Sequence, residues 1–133
     1  MKITNSYLDE TKEQVRYIED KIDLFSIMIS DSVLTKHFSK IFINFDDEYD
    51  DSQYYPVYHG ISIYVKNDSS YDEFEFTRDK YCRDYDFGTN VTNLAEKINV
   101  DVDQVGNLID EFEKYWRDID LEDINPYIIE YEL

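Results

Sequence analysis

At 133 residues, with 42% hydrophobic and 17% aromatic side chains, the chain has the length of one domain (1–133) and enough apolar mass to bury a core, which argues against intrinsic disorder. Its 31 acidic and 13 basic residues give a net charge of −18, which repels DNA, RNA and anionic membranes and favours basic surfaces. The lone cysteine, Cys82, excludes an intrachain disulfide, and the polar N-terminal stretch and the lack of a long apolar run lead us to expect a cytosolic protein.

In chain order, Val15, Ile18, Ile22, Phe25 and Ile29 recur at spacings of three and four, and Leu8 extends the stripe. This predicts an amphipathic helix over residues 5–30, with Glu13, Arg16, Glu19, Asp20 and Lys21 on its outer face. "FSKIFINF" at 38–45 is short and rich in Phe and Ile, as a strand requires. In "YYPVYHGISIYVK", Val57, His59, Ile61, Ile63 and Val65 alternate with Tyr58, Gly60, Ser62 and Tyr64, and Pro56 suits the strand's entry. After a turn at "NDSS", "YDEFEFTRD" alternates again, with Phe74 and Phe76 inward and Glu73, Glu75 and Thr77 outward. These segments predict an antiparallel meander of three strands, or four if "KYCRDYDF" joins. Beyond Gly88 the period becomes helical. Thr92 to Ile98 forms one short helix; Asp101 caps a second, whose buried stripe is Val102, Val105, Ile109, Phe112 and Trp116. "YIIEYEL" at 127–133 is a final strand. The expected fold class is α+β: an N-terminal amphipathic helix, an antiparallel β-meander of three to four strands, a C-terminal helical hairpin and a closing strand.

The segment "TNLAEKINVDVDQVGNLID" resembles a helix-turn-helix, with Ala95 at the close approach, Asn99 in place of the usual turn glycine, and Val105 and Leu108 packing back. Its second helix offers Asp101, Asp103, Gln104, Asn107, Asp110 and Glu111 where DNA readers carry Lys and Arg, which argues against DNA binding.

The densest charge lies in "NFDDEYDDSQYYPVY". Asp46, Asp47, Glu48, Asp50 and Asp51 surround Tyr49, and Tyr54 follows. The run begins like a calcium loop, but Asp51 stands where the sharp-turn glycine belongs and Val57 where the closing Glu belongs. His37, His59 and Cys82 are too scattered for zinc. "DFG" at 86–88 lacks the length and glycine loop of a kinase around it. No phosphate loop or nucleophile elbow is present, so neither catalysis nor a metal or cofactor is expected. What remains is charge beside aromatic rings. Residues 67–133 hold 19 acids and 6 bases, net −13, against net −5 for residues 1–66.

In length, charge and the "DDEYDD" and "RDYDF" stretches the chain resembles the small acidic inhibitors of bacteriophages and mobile elements: DNA mimics, anti-restriction proteins and anti-CRISPR proteins. That resemblance implies a non-enzymatic protein, cytoplasmic in a bacterial host. It would occupy the basic nucleic-acid-binding surface of a defence nuclease without touching nucleic acid or membrane. Carboxylates spaced like phosphates would enter the groove, with tyrosines adding contact area. The contact residues expected are Asp46, Asp47, Glu48, Tyr49, Asp50, Asp51, Tyr54, Asp84, Asp86, Asp101 and Asp103. Two other functions fit the composition: an immunity protein neutralising a basic nuclease toxin, and a helix-turn-helix-like regulator. A merely solvated acidic surface is the remaining alternative.

Overall fold

Alternating strands and amphipathic helices assemble into an α+β fold which, among the described residues, has three α-helices and a five-stranded, wholly antiparallel sheet. The computed structural model describes residues 1–6, 12–46, 58–78, 82–117 and 127–133. The elements are β1 (Lys2–Ser6), α1 (Lys12–Asp31), a short 3-10 helix (Val33–His37), β2 (Lys40–Asp46), β3 (Tyr58–Lys66), β4 (Tyr71–Arg78), α2 (Phe87–Ile98), α3 (Val102–Arg117) and β5 (Tyr127–Glu132). The sheet order is β1-β5-β2-β3-β4, so the meander β2-β3-β4 is extended by the last strand and then by the first.

Residue parity explains the two layers. Ile41 and Ile43 of β2, Ile61, Ile63 and Val65 of β3, Phe76 of β4, and Ile129 and Tyr131 of β5 are all buried. They form a single core with Ile22, Phe25 and Ile29 of α1, Leu94, Ala95 and Ile98 of α2, and the inner stripe of α3. The helices therefore cover one face of the sheet. The side chains of opposite parity point away from them, because successive strand residues alternate between faces.

Phe25 is the centre of the aromatic packing. Its ring lies 5.0 Å from Phe112, 5.3 Å from Tyr115, 5.2 Å from Trp116 and 5.2 Å from Tyr131, mostly edge-on. The Tyr115 hydroxyl donates to the Lys21 carbonyl at 2.7 Å and the Tyr131 hydroxyl to the Ile22 carbonyl at 3.3 Å. Two phenols from different elements thus tie α3 and β5 to the same turn of α1, and burial pushes the Tyr131 hydroxyl far above its ordinary pKa.

The α2–α3 hairpin follows local chemistry. Asn99 adopts φ 56° and ψ 52°, the left-handed conformation that ends α2 in place of glycine. The Val100 N–H reaches the Ala95 carbonyl at 3.1 Å and the Asn99 N–H the Glu96 carbonyl at 3.3 Å, the paired bonds of a Schellman turn. An Asp101 carboxylate oxygen then accepts the Asp103 N–H at 2.8 Å and caps α3.

Four expectations need correction. Residues 5 and 6 belong to β1, and α1 starts only at Lys12. β1 has Ile3 as its one apolar side chain and exists through pairing with β5, which local pattern does not reveal. "KYCRDYDF" adds no strand; among the described residues Arg83 makes only an isolated bridge to Arg78. Its Phe87 instead begins α2, five residues before Thr92, and packs on Phe76 with ring centroids 5.5 Å apart. Val102 is 43% exposed and lies outside the inner stripe, which Leu108 joins instead.

Candidate functional site: the acidic face of the sheet

Of the residues expected at a partner contact, Asp84, Asp86, Asp101 and Asp103 have described side chains, and they lie at the two ends of α2. Asp47, Glu48, Tyr49, Asp50, Asp51 and Tyr54 lie outside the described residues; Asp46 closes β2, its backbone opposite Tyr58. Asp84 and Asp86 are exposed on the connection into α2. Asp84 accepts the Thr77 hydroxyl at 3.1 Å and the Tyr85 N–H at 2.8 Å, while the Asp86 carbonyl accepts the Asn90 N–H at 2.9 Å. Asp101 and Asp103 sit at the other end of α2, twelve helical residues away, a separation of about 18 Å at 1.5 Å per residue. Asp101 is also engaged as a helix cap. The two pairs therefore do not form one compact cluster.

The sheet gathers a different set of carboxylates. On the face turned from the helices, the register aligns Lys2, Glu132, Lys40, Tyr64 and Glu73 in one row across the five strands, and Thr4, Glu130, Phe42, Ser62 and Glu75 in the next. Glu73 and Glu75 are exposed; Glu130 and Glu132 are half-buried. Strand geometry sets Glu73 and Glu75 about 7 Å apart, and Glu75 about 14 Å from Glu130, three strand spacings away. Phe42 and Tyr64 fill the middle, their ring centroids 5.5 Å apart.

Lys40 is the central cation of this face. Its ammonium lies 2.9 Å from a Glu130 carboxylate oxygen and 5.3 Å from the centre of the Phe42 ring. The Glu130 hydrogen bond outweighs burial and raises the Lys40 pKa. The other flank is crowded with like charge. Burial, then the neighbouring Glu73 carboxylate, lifts Glu75 above the usual carboxylate range, and burial together with Glu73 pushes Tyr64 up to about 12. The Glu73–Glu75 side of the sheet thus holds negative charge in a position that a cation would relieve.

A second polar assembly lies behind the sheet. Arg78 of β4 and Arg83 both donate to the Glu113 carboxylate of α3, and Arg83 also pairs with Asp110. Glu113 is only 8% exposed. The Arg83 guanidinium lies 4.3 Å from the centre of the Phe87 ring. Hydrogen bonds to Asp110 and Glu113 and their charges together outweigh burial, the largest single influence, and raise the Arg83 pKa. This clasp joins sheet to hairpin and explains why Asp110 and Glu113 are unavailable as free surface charge.

Sequence reasoning placed Glu73 and Glu75 outward but did not join them to Glu130 and Glu132, and it missed the clasp. The sheet face had a readable signal: Glu at alternate positions in "YDEFEFTR" and "YIIEYE", opposite in parity to the buried Phe76, Ile129 and Tyr131. The clasp had none, because Arg78 and Glu113 are 35 residues apart. Among the described residues no group of three or more His, Cys, Asp or Glu is arranged to hold a metal ion, and no helix is long and apolar enough to cross a membrane. No family model, curated protein or solved structure matches this chain.

Proposed function

We propose that the protein is a stoichiometric acidic inhibitor that binds the basic nucleic-acid-binding surface of a bacterial defence nuclease, of the anti-CRISPR or anti-restriction type, and blocks loading of the nucleic-acid target. The observation that supports this reading is the sheet face turned from the helices, where Glu73, Glu75, Glu130 and Glu132, with Lys40 among them, surround Phe42 and Tyr64. Burial, and after it the neighbouring Glu73 carboxylate, raises the Glu75 pKa, and an incoming Arg or Lys would offset the repulsion between the two carboxylates. A rigid sheet fixes the spacing of these carboxylates before contact, which limits the ordering cost of binding. Association is steered by the net charge of −18 and weakens as salt rises.

The test is a Glu73→Gln/Glu75→Gln variant measured against purified basic nucleases from CRISPR and restriction systems. The substitutions remove two exposed charges that repel one another, so the fold persists. Weaker binding and lost protection from the nuclease support the reading. Unchanged inhibition, or affinity that stays flat from low to high salt, sinks it. Selective binding to a basic nuclease toxin would favour the immunity-protein alternative. A regulator that reads DNA is disfavoured by the exposed Asp103, Gln104, Asn107 and Glu111 of α3, and a low-salt gel shift is expected to show no complex.

A further inference from the structure

The helix layer carries a second surface with different chemistry. Besides its buried stripe, α1 has an outward apolar row, Leu24, Ile27 and Met28, at spacings of three and four. Leu24 is 57% exposed and Ile27 58%. Val33, 76% exposed, and Leu34 continue this apolar surface where the 3-10 helix turns beside α1. On the far side α3 contributes Gln104, Asn107, Leu108 and Glu111, again at helical spacing. Together they bound an open groove of about 690 Å³, within the usual range for binding sites of roughly 300–1,000 Å³. Large apolar side chains left this exposed along one groove mark a contact surface rather than scattered surface residues.

Shape and charge specify the occupant. Two helices, each presenting side chains in i, i+3, i+4 rows, leave a channel that the ridge of a third helix fills. Asp31 and Glu111 are the charged residues of the lining, which contains no Lys, Arg or His; Lys21, Lys36 and Lys114 belong to the same elements but do not line it. Asp20, Asp23 and Asp103 are exposed on those elements. A second copy of this chain is a poor occupant, because face-to-face docking brings one groove's acids, Asp31 and Glu111, to a groove lined by the same acids and joins two chains of net charge −18. We infer that this groove docks a cationic amphipathic helix of a partner protein, its apolar residues on Leu24, Ile27 and Val33 and its Lys or Arg residues against Asp31 and Glu111. The site is on the helical side of the molecule, away from the acidic sheet face, and stands whether or not that face binds a nuclease.

The experiment uses the full chain and a fluorescein-labelled synthetic peptide of ~18 residues, with Leu at helical spacing and Lys on the flanks, followed by anisotropy. The peptide is expected to bind the wild-type protein, and more weakly as salt rises. Ile27→Ser/Val33→Ser should weaken it by about tenfold or more, and Asp31→Lys/Glu111→Lys should weaken it as well. All four positions are exposed, so thermal melts are expected to remain near wild type. Glu73→Gln/Glu75→Gln should weaken the peptide far less than Ile27→Ser/Val33→Ser does, which separates this site from the sheet face. Equal binding by Ile27→Ser/Val33→Ser overturns the inference. So does equal binding of a peptide in which Glu replaces every Lys. A wild-type dimer in sedimentation that Ile27→Ser/Val33→Ser dissolves would assign the groove to a second copy instead.

Discussion

Replacing Glu113 with Ala tests whether the clasp behind the sheet holds hairpin and sheet together. The Arg78 side chain is 14% exposed and that of Glu113 10%, while Arg83 at 44% remains in reach of water and of Asp110. Breaking a fully buried ion pair costs roughly 3–5 kcal/mol, because the surviving charge stays desolvated. Arg83 escapes most of that cost and Arg78 bears the larger part, so about 2–3 kcal/mol, below the full figure, is expected for Glu113→Ala. The site gives little room for repair. The adjoining void, bounded by Ile43, Gly60, Phe76 and Trp116, has a volume of about 10 Å³, at the lower limit for one water. With an unfolding entropy near 2.1 cal/mol/K per residue, 2.5 kcal/mol lowers the Tm of a chain this long by about 9 °C. Circular-dichroism melts and urea titration measure it. The double variant Arg78→Met/Glu113→Leu removes both desolvated charges and should lie within ~1 kcal/mol of wild type, or above it. A Glu113→Ala loss below ~1 kcal/mol, or a double variant worse than Glu113→Ala alone, would refute the account of a clasp in which Glu113 balances the Arg78 charge.

Other substitutions probe the remaining devices. Phe25→Ala removes the ring shared by α1, α3 and β5 and should cost about 3–5 kcal/mol, seen as a Tm drop of roughly 11–18 °C; a drop of a few degrees would mean the cluster repacks around the gap. Asn99→Gly should be neutral or stabilising by a few tenths of a kcal/mol, whereas Asn99→Val should destabilise by about 1–2 kcal/mol in urea, because a β-branched residue resists positive φ. For Glu75 the folded pKa lies above the unfolded one, so the native state binds the proton more tightly and this residue's contribution to stability improves as pH falls through the raised value. Glu75→Gln is therefore expected to be at least as stable as wild type at neutral pH and to lack that gain in mild acid, as parallel urea titrations would show. A variant clearly less stable at neutral pH would contradict the crowding of carboxylates on that face.

What could be read from the sequence was what is local. Ile22, Phe25 and Ile29 mark the inner stripe of α1, Ile61, Ile63 and Val65 the inner side of β3, and Asp101 the start of α3. Each depends on neighbours within a few residues. Asn99 was legible for the same reason, since the left-handed turn is a property of one residue and the helix before it. β1 was not, because a five-residue edge strand with one apolar side chain is indistinguishable from a polar tail until β5 pairs with it. The candidate site was obscured by contiguity. Five acids within six residues attract notice, whereas register sets Glu73 in the same row as Glu132, far along the chain.

The placement of β5 between β1 and β2 also governs how the molecule is made. During synthesis the meander β2-β3-β4 has all its hairpin partners early, but β1, although translated first, has no strand to pair with until residues 127–132 leave the ribosome. Tyr131, whose hydroxyl reaches the Ile22 carbonyl, arrives in the same late step. Completing the sheet therefore requires β1 and β5, far apart in sequence, to pair, a long-range contact that is slow to form. A truncation before Tyr127 would leave the first strand without its partner and the aromatic centre without one wall.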